Sequence, residues 1–222
     1  YPAGLASARR WVELAPNDMT ARQLAAVLFL RAEQPEEAGK QLDALVKIAE
    51  ARQVDGFLQA AGALSVERDR AGAEQLMRGL HERHADDVRS LYALAVLEAA
   101  HRRFEDAEAH LREVVASEPE WEQPRVLLSR VLSAQSRQEE AIAFLDDSVA
   151  RYPKSVLLRT TYSRQLVDAA DYKGALEQFR RLHELKPDDA EISFGYAMLA
   201  TQQEQWDEAR PVWQELRAEP ER

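Results

Sequence analysis

Apolar residues recur along this chain at spacings of three and four. Between residues 88 and 121, Leu91, Leu94, Ala95 and Leu97 mark one helical face. After the polar break His101-Arg102-Arg103, Ala107, Leu111, Val114 and Val115 mark a second. Residues 156–189 repeat the arrangement with Leu158, Tyr162 and Leu166, then Ala175, Phe179 and Leu182. This is the period of amphipathic helices, and it predicts them in pairs.

The pairs recur at a fixed interval. Pro119, Pro153 and Pro187 are 34 residues apart, and Ala107, Ala141 and Ala175 each stand twelve residues before one of them. Extending the register through Ala38, Ala73 and Ala209 gives units at 19–53, 54–87, 88–121, 122–155, 156–189 and 190–222. Residues 1–18 then form the second helix of a truncated unit. Asp18, Asp87, Ser155 and Asp189 precede first helices, and Asp171 and Asp207 stand at second-helix starts. There a side-chain oxygen can accept from free backbone N–H groups. Pro35 and Pro124 suit first turns, where the missing N–H costs little. Pro211 predicts a slight kink or a late helix start.

A 34-residue helix pair carrying Leu91, Leu94, Ala95, Ala107, Leu111 and Pro119 resembles the tetratricopeptide repeat family. The pattern returns as Tyr162, Ser163, Leu166, Ala175, Phe179, Pro187, and as Tyr196, Ala197, Ala209, Trp213. The resemblance implies an all-α, right-handed superhelical solenoid of about six and a half repeats, with first helices lining its concave face. Small residues at 95 and 107, 163 and 175, and 197 and 209 would let the paired helices approach closely. There are departures. The signature Trp is missing from first helices, Gly4 replaces an Ala, and Glu98 stands where an aromatic is expected. Unit 54–87 is the most divergent, with Gly56, Gly62, Gly72 and Gly79. Each interior Gly costs about 0.5–1 kcal/mol against Ala, which predicts local mobility there.

Composition narrows the function. The chain has 222 residues, no Cys and a formal charge of −10. Lacking Cys, it has no disulfide, thiol nucleophile or Cys-ligated metal. An acidic chain is poorly suited to nucleic acid or anionic lipid. The longest apolar run, Leu24 to Leu30, is too short to insert in a membrane. The sequence opens at Tyr1 and ends beyond Trp213 and Leu216 without a polar capping helix. The expectation is a segment of a longer array whose open ends suit self-association.

Enzyme signatures for phosphate loops, dinucleotide sites, nucleophile elbows and zinc hydrolases are absent, so the expectation is no catalysis and no cofactor. His81 and His84 with Asp86 and Asp87 read as a solvated helix end, with metal binding as the alternative. His101, His110 and His183 read as isolated polar-face residues. Asp146-Asp147 and Glu139-Glu140 read as solubilising acids rather than paired general acids. Phe104, Tyr172 and Trp206 read as braces for the interhelix turn.

The candidate site is the inner wall. The fifth residues of the units should point inward: Gln23, Leu58, Tyr92, Val126, Thr160 and Phe194. So should the ninth residues Val27, Val96, Arg130, Arg164 and Met198, with Gly62 between them. Such a wall is more apolar than solvation requires and marks a partner surface. Arg130 and Arg164 could receive carboxylates through forked hydrogen bonds. The alternative is that these residues pack against a neighbouring helix and the arginines balance local acid. On the first reading, Tyr92→Ala with Arg130→Glu and Arg164→Glu weakens binding without changing the melting temperature.

The expected function is a non-catalytic scaffold that binds a protein or peptide. The runner-up is a regulatory or targeting segment of a larger enzyme. A glycan-binding module ranks third, since Tyr92 and Phe194 stand three units apart. Residues 8–18 with 21–25 also resemble large tetratricopeptide lipoproteins of Gram-negative envelopes, one of which scaffolds a carboxyl-terminal processing protease. That resemblance implies an envelope protease as partner. It also implies a bacterial periplasmic location, tethered to the outer membrane by an upstream lipid anchor. The cytoplasm is the alternative location.

Overall fold

The computed structural model describes residues 2–218. Tyr1 and residues 219–222, the outermost positions of the expected terminal units, lie outside the described residues. Among the described residues there are thirteen α-helices and no strand. The chain gathers into two compact units, Tyr1–Glu120 and Trp121–Arg222.

The first unit holds α1 (Pro2–Leu14), α2 (Met19–Arg31), α3 (Pro35–Ala51), α4 (Gly56–Ser65), α5 (Arg70–Arg83), α6 (Val88–Ala100) and α7 (Phe104–Ser117). Turns of three or four residues join consecutive helices, so neighbours fold back on one another as hairpins. Helix α2 packs on α3, α3 on α4, α4 on α6 and α6 on α7. The core runs through Phe29, Leu42, Leu45, Phe57, Leu64, Met77, Leu80, Leu94 and Leu97.

The second unit holds α8 (Glu122–Ala134), α9 (Gln138–Arg151), α10 (Val156–Asp168), α11 (Tyr172–Leu185), α12 (Ala190–Gln202) and α13 (Trp206–Ala218). Its core is built from Val126, Leu145, Val149, Leu158, Tyr162, Leu166, Leu176, Tyr196 and Leu199. In both units the small residues sit in the helix contacts. Ala95, Ala107, Ser163, Ala175 and Ala197 are fully buried.

Local chemistry sets the helix starts. Asp18 accepts from the N–H groups of Thr20 at 2.8 Å and Ala21 at 3.2 Å. Asp87 accepts from Arg89 N–H, Ser155 from Leu158 N–H, Asp189 from Glu191 and Ile192 N–H, and Asp171 from Gly174 N–H. Each such cap contributes about 1 kcal/mol. Asp207 departs from expectation. Helix α13 begins one residue earlier, at Trp206, so Asp207 lies inside the first turn. Its start is therefore not delayed by Pro211, which sits inside the helix and leaves the Asp207 carbonyl without its usual N–H donor.

Helix ends are fixed by backbone geometry. Glu33, Gln53, Arg102, Ser136, Ala170 and Glu204 have positive φ, between 56° and 66°. Each turns the chain so that the next N–H reaches back to a carbonyl of the last helical turn. Arg103 N–H donates to Glu98 C=O at 2.8 Å, and Asp171 N–H to Leu166 C=O at 2.9 Å. This is the left-handed helix ending, made here without glycine.

A second clasp ties first helices to the turns before them. Arg22 donates to Pro16 C=O through Nε at 3.1 Å and Nη2 at 2.9 Å. Arg159 reaches Pro153 C=O at 3.0 Å and Gln178 Oε1 at 2.6 Å. Ser193 reaches Pro187 C=O at 3.3 Å. Each pair is six residues apart, so the helix donor covers an orphaned turn carbonyl.

Gly56 explains part of the divergence of residues 54–87. A Cβ there would lie 2.6 Å from Val46 Cα, so the crossing of α3 and α4 requires glycine. Helix α4 is also the shortest, at 10 residues.

Candidate partner-binding surface

The expected inner wall is two different surfaces in the two units. In the first unit, Gln23, Val27, Leu58 and Val96 are half-buried, and part of the wall is tied up with itself. Gln23 Nε2 on α2 donates to Gln59 Oε1 on α4 at 3.1 Å and to Gln59 C=O at 3.3 Å. Leu58 packs on the core. Arg31 on α2 holds Glu67 beyond α4 with bonds of 2.7 and 2.8 Å.

Tyr92 and Val126 do not stand on an open wall. They are only 9% and 7% exposed. Helix α6 buries Ser90, every residue from Leu91 to Ala95, Leu97 and Glu98, so it has no broad solvent face for Tyr92 to occupy. Val126 belongs to the core with Leu145, Leu158 and Tyr162.

In the second unit the wall beyond Val126 is open. Phe194 and Met198 on α12 are 51% and 52% exposed. Thr160 is half-buried, and Arg130 and Arg164 are exposed. Thr160, Arg164 and Phe194 come together on one groove of about 540 Å³ between α10 and α12. Val156 and Val167 of α10 and Ile192 of α12 line its sides, with Phe179 and Leu182 of α11 beneath. Sequence reasoning missed Val167, the twelfth residue of its unit. It carries the same signal as its neighbours, an apolar residue on the exposed face of a first helix.

Two details shape this groove. Gly195 sits against Phe179: a Cβ on residue 195 would lie 2.5 Å from the ring. Phe194 is not a loose side chain. Its ring meets Trp213 of α13 edge to face at 5.5 Å, and Trp213 Nε1 donates to Thr201 Oγ1 at 3.0 Å.

The two arginines differ from several of their neighbours in charge pairing. Arg137, Arg151, Arg180 and Arg181 hold Glu140, Asp147, Glu208 and Glu184 respectively. Arg130 and Arg164 have no ion pair or side-chain hydrogen bond among the described residues. They stand 34 positions apart on α8 and α10, which pack directly on each other.

The histidines are not isolated polar-face residues. His101 is buried and its Nδ1 lies 3.0 Å from Glu74 Oε1. His110 Nδ1 lies 2.7 Å from Oε2 of Glu98, a carboxylate with no solvent exposure, and Arg78 stands 3.7 Å away. Glu98 thus replaces an aromatic because its own hairpin supplies a histidine. His183 meets Ser193 Oγ at 3.0 Å and stacks on Tyr196. His84 meets Asp43 at 3.1 Å while His81 meets Ser90 Oγ at 2.7 Å. Asp146 accepts from Tyr162 O–H at 3.1 Å, and burial pushes that phenol up to about 12. Among the described residues no group of three or more acids and histidines is placed to hold a metal ion. Nor is any helix long and apolar enough to cross a membrane.

Comparison with known proteins follows the helix pairs. Two family profiles, both described as tetratricopeptide repeat, match residues 92–156 and 166–220, together more than half of the chain. No curated protein matches. Among solved structures, PilF of Pseudomonas aeruginosa is similar with a TM-score of 0.54 at 17% identity, covering 89% of this chain and 90% of its own. MamA from Desulfovibrio magneticus RS-1 gives 0.52 at 12% identity, covering 72% and 90%. MamA AMB-1 gives 0.52 at 16%, covering 72% and 86%. At these identities the likeness concerns the fold.

Proposed function

The chain belongs to the tetratricopeptide repeat family, and from that premise we propose that it is a protein-interaction scaffold whose working surface is the first-helix wall of its second unit. Repeats of this kind bury one face against their neighbours and leave another for partners. The observation that carries the choice of surface is Phe194, half exposed yet held in place by Trp213. A fixed, exposed aromatic loses little side-chain entropy on binding, which is what an interface anchor needs. The unpaired Arg130 and Arg164 add charge on the first helices α8 and α10. The first unit is a weaker candidate because Gln23 and Arg31 already spend their polar groups on Gln59 and Glu67.

Affinity capture from source-cell extracts, followed by mass spectrometry, tests the reading. A partner should be retained by the wild-type chain and lost by the Arg130→Glu, Arg164→Glu, Phe194→Ala variant. A partner retained equally by both would move the working surface elsewhere. Running envelope and cytosolic extracts side by side also tests the proposal that the partner is an envelope protein, such as a protease.

A further inference from the structure

We propose that the groove between α10 and α12 receives a peptide segment in which a bulky apolar side chain stands beside a carboxylate. The inference rests on the scaffold reading above and names the chemistry of its partner.

The groove supplies both halves of that recognition. Its walls are apolar, with Val167 on one side and Ile192 and Phe194 on the other, over a floor of Phe179 and Leu182. Gly195 lets the Phe179 ring lie directly against α12, and so sets that floor. Apolar walls of this kind gain from covering a side chain of matching character. Trp213 holds Phe194 upright before anything binds.

Arg164 decides which side chain stands next to the apolar one. It is exposed on the groove wall and uncompensated by any acid among the described residues. The neighbouring second-helix arginines Arg151, Arg180 and Arg181 pair with acids, so within this stretch of the chain Arg164 is a cation left for a partner. A guanidinium at the edge of an apolar groove favours a carboxylate through two parallel hydrogen bonds. Arg130, on the adjacent α8, extends the same sign. The opposite rim is acidic: Asp189 is committed to capping α12, but Glu191 is exposed. The carboxylate of the segment therefore lies towards Arg164 and away from Glu191. Nucleic acid offers phosphate to Arg164 but gains nothing from the apolar floor, and it is repelled by the net charge.

Fluorescein-labelled peptides with a central Leu-Phe flanked by Glu, and the same peptides with Lys in place of Glu, provide the probe. On the whole chain, the Glu series should bind about tenfold more tightly than the Lys series, as read by anisotropy. Arg164→Glu should invert that preference. Phe194→Ala should weaken both series by about tenfold, with circular dichroism confirming an intact fold. Since Arg164 is exposed and makes no ion pair or side-chain hydrogen bond among the described residues, its variant keeps the test sound even if loss of Phe194 loosens α13. Equal binding of the two series, no binding of either, or a preference unmoved by Arg164→Glu would overturn the proposal. Self-association lost with Arg164→Glu in sedimentation would make a second copy the occupant, and would overturn it too. If these peptides fail while extract capture still depends on Arg164 and Phe194, the partner chemistry is wrong and the scaffold reading stands.

Discussion

Glu98 carries a carboxylate with no solvent exposure, and the Nδ1 of His110 lies 2.7 Å from it across one helical hairpin. The hydrogen bond to Glu98 raises the pKa of His110 above its ordinary 6.5, with burial opposing. A group raised on folding contributes stability that is complete below its unfolded pKa and is lost as pH rises through its folded value. Stability should therefore fall as pH rises past the ordinary histidine value of 6.5. His81 has the opposite sign, because burial lowers its pKa and its protonation opposes folding as pH falls. The difference between wild type and His110→Gln isolates the pair. Urea midpoints across pH should show the fall in wild type steeper than in the variant, and equal slopes would refute the assignment.

Ala170 has φ of 59°, which an L side chain adopts at a cost. Ala170→Gly should stabilise the chain by about 0.5–1 kcal/mol, relief of strain outweighing the added freedom of the unfolded chain. An unchanged or lower urea midpoint would contradict this.

Gly56 and Gly62 share helix α4 and should respond with opposite signs. Gly56→Ala drives a Cβ to 2.6 Å from Val46 Cα and should cost about 1–3 kcal/mol. Gly62→Ala meets nothing within 4 Å and should gain about 0.5–1 kcal/mol from helix propensity. Thermal melts of the two variants would show whether the signs differ.

Tyr92→Ala should lower the melting temperature, because a side chain 9% exposed leaves a cavity when truncated. A loss of about 3 kcal/mol is expected. This reverses the sequence expectation of unchanged melting. A melt matching wild type would show that the ring is dispensable for packing.

The helical class was legible in the sequence, and three of the expected wall residues, Thr160, Arg164 and Phe194, share one groove. Apolar spacing marks helices, and the 34-residue recurrence of proline and alanine marks their pairing, because both are one-dimensional signals. Burial of Tyr92 and Val126 was not legible. Periodicity assigns a residue to a face but does not say whether another helix covers that face. The pairs His110–Glu98 and His101–Glu74 were hidden for a related reason. The partners lie 12 and 27 residues apart in sequence, Glu98 and Glu74 on helices α6 and α5, so each histidine looked solitary. The groove was half legible. Thr160, Arg164 and Phe194 follow from unit position, whereas Phe179 reaches the groove from a second helix, through the space Gly195 leaves.

Closing six of the turns with a left-handed residue and a main-chain N–H to main-chain carbonyl bond has a practical consequence. At Ser136 or Glu204 the turn is specified by a backbone angle rather than by a side chain. Those positions are therefore open to rewriting. A fluorophore, crosslinker or affinity handle attached there would report on the array without disturbing the groove or the buried acids, provided the grafted residue tolerates a left-handed backbone.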